Sequence, residues 1–483
     1  MIGQRVIDAV SRSYVDAQLS YGITWDESAD TYARTGRLAG IAVGSSPGNY
    51  ALPIQAKMRR CVLNDAGQVV YYLAPSNSAL KEDGEASVLT GADGQVMVEI
   101  PAFWLKYSYL GTTHRWDISS TPIEGFTLHP AFIKNGVAVP YRYCGAYEGV
   151  LYDVSASIYA NGIYQTAFSC TFNSTEKTIT ANSRTAPFAG LAVGDKIVVS
   201  GTVNNDGTFT VAGIADTIIT TTEALVDETA DSTIIQTQKD WTAATGDKLA
   251  SVSGKKPITY GTRANFRAIA ANRGAGWRLD DFYLESAIQL LNLVEYGSFY
   301  TQSMIGAGIM SVTDWDVYNG HSPIAVTGNS NVIGNATGNT AGATAAATEA
   351  TKYLSYRGIE NWFGHLWKFV DGFNINDNIP YVHNTDTQFA DDTAVNYTDL
   401  GLVLPNVNGY PATIAQIGTG FLPESVGASL TTKLTDNYWQ APGWRVAWFG
   451  GSAANGAGDG GFAWALLSTS SVANRHVGGR LGF

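Results

Sequence analysis

The chain has 483 residues, a net charge of -12 and only 15% charged residues, beside 45% hydrophobic residues that can build a large core. That length allows about three domains, and an acidic chain with no Lys/Arg cluster has no basic footprint for phosphate, which excludes DNA and RNA as partners. The opening MIGQRVIDAVSRSY carries no long apolar core or cleavage site, and no run reaches the roughly 18 apolar residues of a membrane span, so neither a signal peptide nor membrane insertion is expected.

Residues 1–20 place Val6, Ile7, Val10 and Tyr14 at helical spacing, which predicts a short amphipathic segment for attachment, for oligomerisation, or for packing on its own domain. From Tyr21 the pattern turns to strands. Gln55–Asn64 and Val69–Leu73 flank the turn Asp65-Ala66-Gly67. Val96–Ile100 leads into the aromatic run Pro101–Tyr107, and Phe126–Phe132 and Val139–Tyr143 follow as short strands.

Composition changes at residues 165–238, which are rich in Thr, Val, Ile, Ala and Asp and hold no Trp. Strand candidates Thr178–Ala181, Lys196–Gly201, Thr208–Ala212, Thr217–Thr221 and Thr233–Thr237 recur between turns such as Asn204-Asn205-Asp206-Gly207, the rhythm of a small all-β sandwich or barrel. This span reads as a domain inserted into a loop of the main body, with 149–162 and 241–258 as its two stalks. The body is thereby divided into 21–164 and 239–483.

Two helices are expected next. Thr262 caps the first, in which Phe266, Ile269 and Ala270 share a face before Gly274. Asp280 and Asp281 suit the positive end of the second, Tyr283, Ala287, Leu290, Leu291 and Val294 keep the helical period, and Gly297 ends it. Residues 319–351 form a low-complexity loop of Gly, Asn, Ala and Thr. Trp362, Phe363, Trp367 and Phe369 form an aromatic cluster whose density marks core rather than a sugar-stacking platform. Trp444–Phe449, Gly461–Leu467 and Val477–Phe483 are the last strand candidates.

Several segments, taken in order along the chain, carry a family resemblance. They are Trp25-Asp26-Glu27 with Thr31–Gly36, Ile100–Trp104, Gly125–Phe132, Asn272–Trp277, Tyr356–Trp362 and Leu366–Gly372. Together they resemble the C-type-lectin-like structural proteins of phages and prophages, a group similar in plan to the major tropism determinant and other variable proteins of diversity-generating retroelements. The resemblance covers most of residues 20–160 and 255–483. The insert at 165–238 separately resembles a small β domain of phage tail proteins.

The resemblance implies an α+β fold, a C-type-lectin-like domain of two helices, short antiparallel sheets and long loops, interrupted by the inserted all-β domain. It implies a homotrimer on the virion surface, made in the host cytoplasm, whose C-terminal segment contacts other molecules. Carried over residue by residue, a framework of Trp444, Arg445, Gly450, Gly451, Phe462, Gly478, Arg480 and Phe483 would hold display positions between them. The expected function is a tail-fibre or receptor-binding subunit that recognises a host surface glycan or protein. The alternatives are a head-fibre decoration or tail structural protein without receptor binding, and a glycan-degrading tailspike.

Binding is read from side-chain chemistry as well. Trp448, Ser452, Asn455, Asp459, Trp464, Ser468, Ser470, Asn474, Arg475 and His476 mix small adaptable hydrogen-bonding groups with rigid aromatic area, the mixture used by antibody loops. The alternative for each is a solvated turn or a contact between subunits.

No enzyme is expected. The six His occur in no His-Glu-x-x-His run, and neither a Gly-x-Ser-x-Gly elbow nor a phosphate loop is present. Asp280, Asp281 and Glu285 could mimic a carboxylate pair, but at a helix start they serve as caps first. The formylglycine-generating branch of the same fold family needs cysteines near the C-terminus, and the last cysteine here is Cys170. Cys61, Cys144 and Cys170 have neither metal nor redox spacing, which reads as buried thiols of a protein folded in a reducing compartment. No cofactor or metal is expected. The calcium candidates Asp371, Asn374, Asn376, Asp377 and Asn378 read better as an Asx-type turn, and Asp391, Asp392 and Asp399 are weaker still.

Overall fold

The computed structural model describes residues 19–483 except 156, 161, 163–165, 183–187, 189–190, 192, 238–245, 313–324 and 342–351. The expected N-terminal segment 1–20 and both ends of the 319–351 loop therefore lie largely outside the described residues. Between those ends, a 3₁₀ turn at Asn329–Ile333 and a strand at Gly338–Ala341 give the low-complexity loop local structure.

The α+β expectation does not hold. The fold is mostly β, with 40% strand and 11% helix, many separate sheets and a six-stranded closed barrel. Three α-helices occur among the described residues, not two: α1 (Arg263–Ala271), α2 (Phe282–Tyr296) and the short α3 (Thr301–Ile305). The physical reason lies in the short apolar and aromatic runs, broken by glycine turns, that dominate the chain; each pairs edge to edge with a neighbour instead of coiling. Among the described residues these three helices follow one another between Arg263 and Ile305, and the two longer ones keep the 3.6 period of apolar residues.

Within that stretch the chain's own signals set the boundaries. The Thr262 side chain accepts from Asn265 N–H and the Asn265 side chain returns the bond, a capping box at the start of α1. Asp281 caps α2 by accepting from Leu284 N–H, and Gly297 closes it in the left-handed region at φ 64°. Nearly every side chain of α2 is buried, polar ones included, so this helix is the central post of the body and not a surface element.

Around it stand three larger sheets. A five-stranded antiparallel sheet runs Thr31–Gly36, Ser20–Asp26, Thr113–Ser119, Trp104–Leu110 and Thr127–Leu128. A seven-stranded sheet runs Arg278–Leu279, Leu481–Gly482, Tyr141–Gly145, Gln95–Pro101, Arg59–Leu63, Val69–Ala74 and Asn77–Lys81. The C-terminal sheet orders Thr398–Asp399, Ile379–Val382, Trp367–Asn376, Trp444–Phe449, Trp464–Ser468 and Tyr438–Gln440, with Val477–Gly478 added in parallel to Trp367–Asn376. The last strand candidate of the sequence is thus split: Val477–Gly478 joins one sheet, while Leu481–Gly482 is threaded between two strands of another.

One continuous core joins the first sheet, α2 and the C-terminal sheet, and includes Trp25, Trp116, Trp362, Phe363, Phe449 and Trp464. A second core holds Trp367, Phe369 and Trp448. The aromatic cluster at 362–369 is therefore core, as its density implied. The six strands Thr166–Asn173, Thr178–Ala181, Ile218–Thr221, Gly207–Ala215, Lys196–Ser200 and Glu228–Thr237 close into the barrel, whose core, including Phe168, Phe172, Ile197 and Ile235, is its own. All three cysteines are buried and unbridged.

Candidate functional site

The C-terminal stretch divides into an inner and an outer part. Trp444–Phe449 pairs with Trp367–Asn376 along one edge and with Trp464–Ser468 along the other, so it is an interior strand of the sheet. Trp448 packs its ring against Trp367 and, edge-on, Phe369. Trp464 meets Phe282, Phe373 and Phe449, and its indole N–H donates to Gly420 O at 3.2 Å. Ser468 lies opposite Val446 across the sheet and is 5% exposed. Ser452 is 1% exposed and its hydroxyl donates to Asn455 Oδ1 at 2.6 Å.

Asp459 is fully buried, and burial holds its carboxyl well above the usual carboxylate range. Asp436 is also fully buried and raised by burial; it accepts from Phe462 N–H at 2.8 Å. These contacts correct five display positions. Trp448, Ser452, Asp459, Trp464 and Ser468 face the interior: Trp448, Trp464 and Ser468 stand on the paired strands, Ser452 and Asp459 in the loop that joins them, and neighbouring segments pack over all five. Of the framework residues, Gly450, Gly451, Phe462, Gly478 and Arg480 are buried while Trp444, Arg445 and Phe483 are partly exposed; Arg480 donates to Gly145 O, Glu360 O and Asn361 O at 2.7–2.9 Å, tying its strand end to two other segments.

The outer part remains at the surface. Asn455 is exposed, and Ser470, Asn474, Arg475 and His476 are partly exposed. A turn closed by Val472 N–H to Thr469 O shapes this loop. Ser470 donates to Asp392, Asn474 Oδ1 accepts from His476 N–H at 2.9 Å, and Asn474 O accepts from Tyr260 N–H at 3.0 Å. His476 O accepts from Trp367 N–H, so the loop's base is anchored on the buried sheet while its tip keeps polar groups outward.

Sequence reasoning missed a spine of buried charges. His365 Nδ1 lies 2.5 Å from Glu148 Oε2, and Lys368 Nζ is 3.3 Å from the other carboxylate oxygen. Burial raises the Glu148 carboxyl, but His365 and Lys368 outweigh it and leave it at about 2. Lys368 is pushed down to about 8 by burial, against the pull of Glu148. Asp280 and Glu285 are both fully buried and both raised, first by burial; Arg142 donates to Asp281 at 2.6 Å. Of the three carboxylates, Asp281 caps α2 and pairs with Arg142, while Asp280 and Glu285 are buried together at the foot of that helix. Partners between 130 and 220 residues apart supply these contacts, and no local motif announces such distances.

The calcium candidates are engaged in the same manner. Arg267 clamps Asp371 through two bonds of 2.6 and 2.8 Å, and Arg263 holds Asn374 and Asp391. Asp377 accepts from Gly443 N–H, closing a turn in which Asp377 and Asn378 both have positive φ. Among the described residues no three His, Cys, Asp or Glu side chains come together as a metal site, and no helix is long and apolar enough to cross a membrane.

The sequence matches no known family profile, and no curated protein matches it. Solved structures that align with the chain include three variants of one protein. "Major Tropism Determinant U1 Variant" shares 12% identity over 96% of this chain and 72% of its own, with a TM-score of 0.25. The "P3c Variant" shares 14% over 67% and 72%, with a TM-score of 0.21. The "M1 Variant" shares 13% over 91% and 82%, with a TM-score of 0.22. Superpositions this loose transfer neither a fold nor a residue's role.

Proposed function

We propose that the chain is a surface protein of a tailed-phage virion, a fibre subunit that attaches to a receptor on the host cell and performs no catalysis. The observation that carries the reading is the loop Thr469–His476. Its small polar side chains stand outside while its base is bonded to a sheet sealed behind it, the arrangement of a recognition loop on a rigid scaffold. The ordered motifs that resemble structural proteins of phages and prophages support the same reading at the level of sequence.

In this reading the subunit is a homotrimer mounted on other virion proteins, and three copies of the loop raise effective concentration so that weak single contacts add up. The test is attachment of the whole protein to host cells, beside a variant carrying Asn474→Ala, Arg475→Ala and His476→Ala. Loss of attachment in the variant, with an unchanged melting temperature, is expected; equal attachment would remove the loop from the function.

One observation favours a second reading, decoration of the capsid or tail without receptor binding. Five of the ten display positions are interior, which leaves a small loop surface where a larger face was expected. Imaging of the intact particle separates the two: a distal tail position agrees with attachment, a capsid or collar position with decoration.

A further inference from the structure

A cleft of about 820 Å³ opens on another part of the body, where the edge of the seven-stranded sheet meets the C-terminal end of α2 and the segment around Asn335. This volume lies within the range of small-ligand sites. We propose that the cleft binds a neutral oligosaccharide.

The argument begins with charge. The lining includes three cations, Lys57, Arg59 and Arg357, and three carboxylates, Glu82, Glu99 and Glu295. The signs balance, so the cleft offers no net field for a polyanion or a polycation. It does offer a dense, mixed set of donors and acceptors, which is the requirement of a polyhydroxylated, uncharged ligand.

The second step is preorganisation. Arg357 is fixed by Glu295 at 3.0 Å and by Asn49 Oδ1 at 2.5 Å. Arg59 is fixed by Glu99 at 3.3 Å and lies 3.4 Å over the ring of Tyr72. Glu99 also accepts from the hydroxyls of Tyr72 and Tyr143, so this wall is rigid before any ligand arrives. A site whose polar groups are already held loses less entropy on binding.

The third step is what is left open. The Lys57 ammonium, the Glu82 carboxylate and the amide nitrogens of Asn49 and Asn335 have no side-chain hydrogen-bond partner among the described residues. The two amide oxygens, by contrast, are taken by Arg357 and by Arg60 N–H. These groups come from the stretch Asn49–Lys57, from Glu82 and from Asn335, and all line one cleft. Tyr141, 42% exposed, stands in the same lining and supplies an aromatic face for the C–H side of a sugar ring.

This inference rests on the reading of the chain as a surface-recognition protein, and the experiment keeps the two apart. The whole protein is titrated by calorimetry with short neutral oligosaccharides of hexoses and N-acetylhexosamines, with heparin as the polyanion. Saturable binding to a neutral oligosaccharide is expected. It should weaken by about tenfold or more in Tyr141→Ala and in Lys57→Ala, and stay unchanged in Asn474→Ala. Both cleft substitutions are at exposed side chains, and an unchanged melting temperature confirms the fold. Binding to heparin alone, no binding to any neutral oligosaccharide, or binding that both cleft variants retain would overturn the proposal. Host-cell attachment is read in parallel. Wild-type attachment with no oligosaccharide binding defeats the cleft and spares the attachment reading, whereas oligosaccharide binding without attachment does the reverse.

Discussion

Residues 444–468 and 469–476 are neighbours in sequence and both carry small polar side chains, yet most of the first span is buried and the second is exposed or partly exposed throughout. The two strands of the first span, Trp444–Phe449 and Trp464–Ser468, lie between Trp367–Asn376 and Tyr438–Gln440 and send side chains into two cores, while Asn455 in the loop joining them reaches the surface. The second leaves the sheet after Ser468 and returns only at Val477. A serine or asparagine in this fold is therefore displayed or sealed according to what packs over it, and side-chain chemistry alone does not decide it.

The sharpest way to break that comparison is Trp464→Ala. Its ring lies between Phe282, Phe373 and Phe449, and removing a buried aromatic of this kind costs about 3–5 kcal/mol. Chemical denaturation should show the loss, and a change under about 1 kcal/mol would mean that the inner strands are not sealed as described.

Glu148→Ala probes the inner half through charge. It leaves Lys368 buried beside His365 without its carboxylate, a loss of about 3–5 kcal/mol. The pH dependence of the intact pair has a definite sign. Glu148 is held at about 2, below its ordinary value, so its contribution is present above the ordinary carboxylate range and is lost as pH falls through that range toward 2. Denaturant midpoints of wild type and variant should therefore converge in strong acid.

Asp459→Asn has the opposite sign. Burial raises the folded carboxyl, so its favourable contribution is present below the ordinary carboxylate range and is lost as pH rises through the raised value. The asparagine variant should match wild type below the ordinary carboxylate range and exceed it increasingly as pH rises from there toward neutrality, read again from denaturant midpoints. A variant less stable at every pH would show that the carboxyl is needed in its charged form.

The smallest effect is expected in the outer half. Arg475→Ala sits on a partly exposed loop and should change stability by no more than about 0.5 kcal/mol, while lowering host-cell attachment if the loop is the contact surface. A melting shift of several degrees would place Arg475 with the inner residues.

Much of the local structure was legible. The Thr262 and Asp281 caps and the Gly297 stop each depend on one side chain or one positive φ, and each stands where the sequence marks it. Trp444–Phe449 was legible as a strand, and the 362–369 aromatics as core. Other segments were read only in part. Gln55–Lys57 turns as a 3₁₀ segment before the strand Arg59–Leu63 begins, and Pro130–Phe132 does likewise, with Pro at its first position and the His129 side chain accepting from Ala131 N–H. The fold class was misread because two well-capped helices and a family resemblance outweighed the far greater length of chain in short strands.

The candidate site was the least legible part. Asn455, Ser470, Asn474, Arg475 and His476 do reach the surface, whereas Trp448, Ser452, Asp459, Trp464 and Ser468 do not. By itself the sequence determined the elements whose signals span a few residues: caps, turns, apolar periods and the low charge of the whole. Tertiary structure alone decided which polar residues face water, how Glu148 meets His365 across 217 positions, and that the chain's end is a central strand. The reason is that burial belongs to both partners of a contact, and strand pairing draws those partners from anywhere along the chain.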